Sequence, residues 1–251
     1  MKVKVLASGS KGNITYIECN KTKLLIDIGI SFLRVKKELL DNKVHIDEIT
    51  GLLISHNHSD HIKGLETFIK KTSIKVYIPK EMYGGLKEII PLDRCEFIDD
   101  NFNINDINIE LIHTSHDAPY SVGFIIEYNN KTLVHVTDTG YINRKFLKKM
   151  EDKDIYVIES NHDEAMLMDG PYPRFLKERV ISDRGHLSNK TTSKYLKKIT
   201  TKTTKYVVLA HLSETNNTKE KALEAIKEES LLDNIEVIVA SQNEGSPMVE
   251  V

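Results

Sequence analysis

Residues 51–64 read GLLISHNHSDHIKG, from Gly51 to Gly64. Leu52 to Ser55 is a short run, apolar or small throughout, and reads as a buried strand. His56 ends it, and His58, Asp60 and His61 follow at once. Three imidazoles and a carboxylate at the mouth of a strand make a poor core. They make a good place for two metal ions, since imidazole and carboxylate suit zinc, manganese or iron. Alternate residues of an extended segment share a face, so His56 and His58 point toward one ion while Asp60 and His61 turn toward a second. Ser59 is the expected N-cap of a helix beginning at Asp60, with Ile62, Leu65 and Ile69 as its apolar stripe. The other reading is a histidine-rich surface loop without metal. The order His-x-His-x-Asp-His behind an apolar strand is far more specific than a lone histidine pair.

The remaining composition is ordinary. At 251 residues, 40% hydrophobic and 29% charged, the chain has the length for one large α/β domain or two small ones and for a sizeable core. Cys19 and Cys95 lie far apart and in no CxxC pattern, so they read as free buried thiols in a reducing compartment. The start, MKVKVLASGS, lacks the apolar run of a signal peptide. No stretch approaches the roughly 18 apolar residues of a membrane span. A cytoplasmic protein with no membrane partner is expected. A formal net charge of −2 does not announce a nucleic-acid partner, so any polyanion site has to be made locally by lysines and bound cations.

On the N-terminal side, Lys2–Ala7, Ile14–Glu18 and Lys23–Asp27 read as strands. The turn Ser8–Asn13 lacks the Gly-Lys-Ser/Thr ending of a phosphate loop. It is either a hairpin turn with glycine at positive φ or a segment whose amides and Asn13 border a site. Ser31 is predicted to cap a helix to about Asp41 that buries Leu33, Leu39 and Leu40. Beyond the histidine block come a strand at Lys75–Pro79, a helix from Lys80 to Ile90 stopped by Pro91, and strands at Cys95–Ile98 and Ile104–Ile112. The last delivers His113 and His116. Val122–Tyr128 and Lys131–Asp138 form a hairpin around Asn129-Asn130. Asn143–Glu151 is a short helix, and Ile155–Ile158 a buried strand ending at Glu159. An excursion rich in Pro, Gly and Arg, 169–185, leads to His186. Ser188 caps a lysine-rich helix to about Ile199. Tyr206–Ala210 ends at His211, and a helix at Lys219–Ser230 precedes a last strand at Ile235–Ala240. Helices recurring between about a dozen strands argue a layered α/β fold with two sheets, here read as one domain over 1–251.

Five strands thus end in a metal-competent or acid/base residue: His56, His116, Asp138, Glu159 and His211. Each alone has a bland account as a turn or strand-end residue. Together they complete a ligand set at one sheet edge, where sites usually sit.

In this order the residues resemble the metallo-β-lactamase superfamily, across essentially the whole chain. Finer motifs resemble its YycJ/WalJ-type branch, bacterial hydrolases linked to DNA processing: Ser8-Gly9-Ser10-Lys11-Gly12-Asn13, Ser115-His116-Asp117-Ala118, Thr137-Asp138-Thr139-Gly140, Glu159-Ser160-Asn161-His162-Asp163, Gly170-Pro171-Tyr172-Pro173 and Gly185-His186-Leu187-Ser188-Asn189. The resemblance implies a four-layer αββα sandwich of two mixed sheets flanked by helices. It implies two divalent ions, zinc or manganese with iron admitted. His56, His58 and His116 would hold the first, Asp60, His61 and His211 the second, and Asp138 would bridge them. His113 competes with His116, but Ser-His-Asp-Ala matches the branch. A hydroxide shared by the ions would attack phosphorus in line, with Asp60 orienting or deprotonating the nucleophile and His186 protonating the leaving oxygen. Similarity to tRNA 3′-processing relatives gives Glu159 the task of orienting His186 or keeping it protonated. His162 matches a family position without an assigned chemistry.

The implied activity is 5′-to-3′ exonuclease action, on DNA before RNA. Lys190, Lys194, Lys197 and Lys198 follow His186, and Arg174, Lys177, Arg179 and Arg184 precede it. These are candidates for phosphate contacts, although a charge run is more often a solvated face. Tyr172 is placed to stack a terminal base, and Asn13, Ser188 and Asn189 complete the predicted substrate contacts. Three alternatives stay open: a hydrolase of small esters, thioesters or lactones on the same fold, an RNase of the tRNA 3′-processing type, and a non-catalytic scaffold that keeps metal for stability. Oligomeric state is not legible.

Overall fold

The computed structural model describes residues 1–231 and 233–251. β1 (Lys2–Ala7), β2 (Ile14–Cys19) and β3 (Thr22–Ile26) form an antiparallel meander. After α1 (Phe32–Asp41), β4 (Gly51–Leu53) adds parallel to β3. α2 (Ser59–Ile62) and α3 (Leu65–Lys71) lead to β5 (Lys75–Pro79) and β6 (Cys95–Ile98), again parallel. The chain then crosses to a second sheet. β7 (Asn101–Ile104), β8 (Ile107–His113), β9 (Val122–Tyr128) and β10 (Lys131–Val136) run antiparallel. α4 (Arg144–Lys149), β11 (Ile155–Glu159), α5 (Glu164–Asp169), α6 (Arg174–Ile181), α7 (Asn189–Ile199), β12 (Tyr206–Ala210), α8 (Lys219–Glu228) and β13 (Glu236–Val239) follow, the strands now parallel. β14 (Val249–Glu250) returns to pair with β1. The result is two mixed seven-stranded sheets, ordered β14-β1-β2-β3-β4-β5-β6 and β13-β12-β11-β10-β9-β8-β7.

Strand alternation builds the layers. On β11, Ile155 and Val157 face the core shared with the first sheet, while Tyr156 and Ile158 face a second core under the helices. On β12, Val208 and Ala210 take the first face and Val207 and Leu209 the second. Phe146, Leu196 and Ile226 from α4, α7 and α8 cover that outer face. Val35, Leu39 and Phe68 from α1 and α3 join the first core. Strands apolar on both faces are what a sheet covered on both sides requires. The order helix, sheet, sheet, helix is the expected αββα sandwich.

The β9–β10 hairpin turns at Asn129 and Asn130, with φ 49° and 60°, and Tyr128 pairs with Lys131. This is the primed turn that two asparagines favour. Elsewhere the structure corrects the sequence reading. The helix expected from Asp60 through Ile69 is two helices, and Ser59 lies inside the first, whose N-cap is His58. The cause is non-local. The Asp60 carbonyl accepts from the Asn13 N–H (2.8 Å) and the His61 carbonyl from the Ile28 N–H (2.8 Å), so neither is free to propagate the helix. Gly29 permits this approach: a Cβ there would lie 1.7 Å from the Asp60 carbonyl oxygen.

Ser31 does cap α1, but the buried face is Val35 and Leu39, one turn apart. Leu33 and Leu40 are 79% and 57% exposed on another face. The segment after Lys80 is a 3₁₀ helix, Lys80–Gly85, where Gly84 and Gly85 disfavour an α-helix. The strand predicted over 104–112 is split by a turn at Asn105 (φ 54°) into β7 and β8. The 169–185 excursion holds a helix, α6, which starts directly after Pro173.

Candidate active site and metal centre

His56, His116, Asp138, Glu159 and His211 sit at or just beyond the C-terminal ends of β4, β8, β10, β11 and β12. Asp138 and His211 hold left-handed backbone (both φ 56°), as does Asp27 at the end of β3 (φ 61°). Such conformations cost non-glycine residues of the order of 1–2 kcal/mol and cluster where geometry is over-determined.

The side chains converge. One ligand atom each from His56, His58 and His116 fall within 4.8 Å of one another, and so do those of Asp60, His61 and His211. Asp138 lies between the sets. Its Oδ2 is 3.1 Å from His61 Nε2, and its Oδ1 is 3.4 Å from His211 Nε2 and 3.8 Å from His116 Nε2. The outward nitrogens are anchored. His61 Nδ1 meets Asp27 Oδ2 at 2.7 Å, His116 Nδ1 meets the Gly185 carbonyl at 3.2 Å, and His56 Nδ1 meets Ser55 Oγ at 3.0 Å. Such partners fix the ring so that the opposite nitrogen faces the centre.

The donor set fits divalent cations. His56 Nε2 is buried with no hydrogen-bond partner among the described residues, a cost that coordination removes. His58 Nδ1 and His116 Nε2 stand 3.2 Å apart, a contact of two acceptors unless a proton or cation lies there. All donors are nitrogen or carboxylate oxygen, the set that suits zinc, manganese or iron. The electrostatics agree. Burial and the neighbouring His61 push the His56 imidazole well down. His61 is held well above the usual imidazole range, burial being outweighed by Asp138 and Asp27. The cavity wants positive charge beside its buried carboxylates.

His186 stands beside this cluster. Its ring stacks on His211 at a centroid distance of 5.3 Å, and its Nδ1 is 2.7 Å from Glu159 Oε1. Burial disfavours the charged ring, but the Glu159 carboxylate holds its pKa above the usual value. Glu159 is fully buried, and burial acts to raise its pKa. His186 and His211 outweigh this and bring it down to about 2. Its Oε2 accepts from the Thr139 and Leu187 N–H groups at 3.1 and 3.0 Å, so the carboxylate is locked in place.

A cavity of about 210 Å³ opens over these groups, lined also by Tyr172, Leu176 and Arg179. The other predicted contacts divide. Arg184 Nε donates to the His116 carbonyl at 3.3 Å. Arg174 points into solvent and pairs with Glu178, and Lys190 is exposed on α7; neither lines the cavity. Two of the expected substrate contacts lie elsewhere. Asn13 is buried, and its Nδ2 lies 3.2 Å from Asp60 Oδ2 and 3.1 Å from His61 Nε2, so it positions those side chains. Asn189 is buried with its amide bound to Ser160 and Asn217, out of a substrate's reach. Ser188 caps α7 and donates to Glu164. His113 pairs with Asp100 at 2.8 Å, outside the cluster, which removes it as a competitor of His116.

Sequence reasoning missed Asp27 and Asp117. The Asp117 Oδ1 is 3.4 Å from His116 Nε2 and 3.7 Å from His58 Nε2, while its Oδ2 accepts from Arg179 Nε at 2.5 Å. A signal existed for Asp27, an acidic residue closing an apolar strand.

Comparison with known proteins agrees with the geometry. The beta-lactamase superfamily domain matches residues 22–212. Exodeoxyribonuclease YycJ of Bacillus anthracis is 37% identical over 87% of this chain and 84% of its own length. Exodeoxyribonuclease WalJ of Streptococcus pneumoniae is 34% identical over 88% and 85%. Among solved structures, the metallo-beta-lactamase fold protein YhfI from Bacillus subtilis superposes with a TM-score of 0.73 at 16% identity, covering 99% of both chains. Zn(2+)-bound PqqB from Methylobacterium extorquens does so at 0.73 and 12%, covering 100% of both. These two likenesses speak to fold alone. With its cluster of histidines and carboxylates at one edge of an αββα sandwich, the chain belongs to the metallo-β-lactamase superfamily and, within it, to the YycJ/WalJ branch of metal-dependent hydrolases.

Proposed function

We propose that the protein is an exodeoxyribonuclease that shortens DNA from the 5′ end, working with two divalent ions, zinc or manganese. The observation that carries the reading is His186, pinned at 2.7 Å to a locked Glu159 and stacked beside the cluster. A nuclease needs a proton for its leaving alkoxide, and a protonated imidazole at the cavity wall supplies one. The names of the YycJ and WalJ relatives support DNA as substrate.

His56, His58 and His116 would hold one ion, Asp60, His61 and His211 the other, and Asp138 both. Bound there, such ions supply Lewis acidity toward phosphoryl oxygens and a water of lowered pKa. Asp60, with 21% of its side chain exposed, takes the proton of the attacking water. Glu159 holds His186 in its charged form, and His186 gives its proton to the departing 3′ oxygen. Arg179 faces the scissile phosphate from the cavity wall that Tyr172 also lines.

The test is digestion of 5′- and 3′-labelled DNA and RNA, single-stranded and duplex, with Mn²⁺, Zn²⁺ or chelator. Stepwise loss from the 5′ end of DNA, abolished by chelator and by His186→Ala, is expected. Indifference to every polymer together with thioester or lactone cleavage moves the assignment to a small-molecule hydrolase.

A further inference from the structure

His186 is a wall shared by two cavities. It lines the one over the metal cluster and also a second, of about 320 Å³, bounded by His162, Glu164, Met168, Ile181 and Ser188. We propose that this second cavity is the berth of the nucleoside expelled when the terminal linkage is cut, and that Glu164 makes it prefer a 5′-hydroxyl to a 5′-phosphate. The proposal rests on the nuclease reading above. In the cleavage, the bond from phosphorus to O3′ breaks, a bond from phosphorus to a water oxygen forms, and the proton of His186 goes to O3′. A general acid touches the oxygen that leaves, so the nucleoside carrying O3′ lies against the His186 ring. The second cavity is the space that ring also bounds.

Its lining suits a nucleoside. Met168 and Ile181 are apolar side chains 58% and 54% exposed, a surface that a base would cover. His162 closes the cavity's inner wall and is itself buried, so the floor is formed by a fixed ring. A phosphate is poorly served. None of the described lining residues is a lysine or arginine. Ser188 Oγ, the N-cap of α7, donates to Glu164 Oε1 at 3.0 Å. The carboxylate therefore already stands where the positive end of that helix would draw an anion.

The chain has no tryptophan, so I181W, at an exposed rim position, provides a single fluorescent reporter. It is titrated with deoxyadenosine and with deoxyadenosine 5′-monophosphate. Quenching by the nucleoside is expected at about fivefold lower concentration, the size of repulsion between unit charges a few ångströms apart in water. Adding E164Q is expected to remove the difference. In parallel, wild type and E164Q digest 3′-labelled single-stranded DNA bearing either 5′ end, and wild type is expected to favour the hydroxyl end while E164Q does not. No quenching by either probe, tighter monophosphate binding in both backgrounds, or equal cutting of both ends by wild type overturns the proposal while leaving the nuclease reading in place. Failure to cut any nucleic acid overturns the nuclease reading, and this one with it.

Discussion

Asp27 belongs to no ligand set, yet it decides how His61 sits: one carboxylate oxygen takes the ring nitrogen at 2.7 Å, and the other takes the Ser55 N–H at 2.7 Å. Asp27→Asn is expected to weaken metal affinity about 10- to 100-fold, read by competition with a chromophoric chelator; unchanged affinity would show that the carboxylate only fills space. His135 makes a different prediction. It is buried between the sheets with its Nε2 3.0 Å from Thr15 Oγ1, and burial pushes its pKa down to about 4. The unfolded imidazole titrates near 6.5. Between those values the unfolded chain binds the extra proton, so stability falls as pH drops through the window, by about 3 kcal/mol when complete. His162, lowered by burial to about 4 as well, adds a similar slope. His135→Gln is therefore expected to remove about half of this joint loss, measured by urea unfolding near neutrality and at about pH 4.5. At this scale the sequence was most legible where chemistry is unusual for its place, as with histidines closing apolar strands. Asp117 was not, and Asp27 only as an acidic residue closing an apolar strand, because their partners depend on which strand end lies beside which.

Among the elements, α6 is the one whose role comes from the fold. Pro171, Pro173 and Gly170 read as a loop, and the helix that begins at Arg174 was hidden behind them. It reaches back through Arg179 to Asp117. An ion pair this exposed contributes at most about 1 kcal/mol, so Arg179→Ala is expected to leave the melting temperature within about 4 °C of wild type. The same change is expected to raise KM for oligonucleotides several-fold with a smaller effect on kcat; the opposite split would place Arg179 in the chemistry and not in binding. The broken helix after His58 teaches the converse. Its apolar stripe was visible, but the competing hydrogen bonds came from Asn13 and Ile28, far away in sequence. Local periodicity found the strands, Ser31 and Ser188 found their helices, and contacts across the chain set the remaining boundaries.

For the whole molecule we read residues 1–251 as one domain, which predicts a single calorimetric transition; two separable transitions would refute it. Ligands that bind only the folded state stabilise it by mass action, about 2.7 kcal/mol at a hundredfold excess over Kd. Removing the metal is therefore expected to lower the melting temperature by roughly 5–10 °C for a chain of this size, restored by adding Zn²⁺ or Mn²⁺ back. Under the proposed ligand assignment, each ion draws on both sheets, with His56, His58, Asp60 and His61 following β4 and His116 and His211 following β8 and β12. The ions then act as rivets through the sandwich. A slip of one sheet over the other by a single residue, about 3.3 Å, would shear both coordination spheres at once. Metal release and loss of inter-sheet registry become one event, so the appearance of free metal in solution times the parting of the sheets.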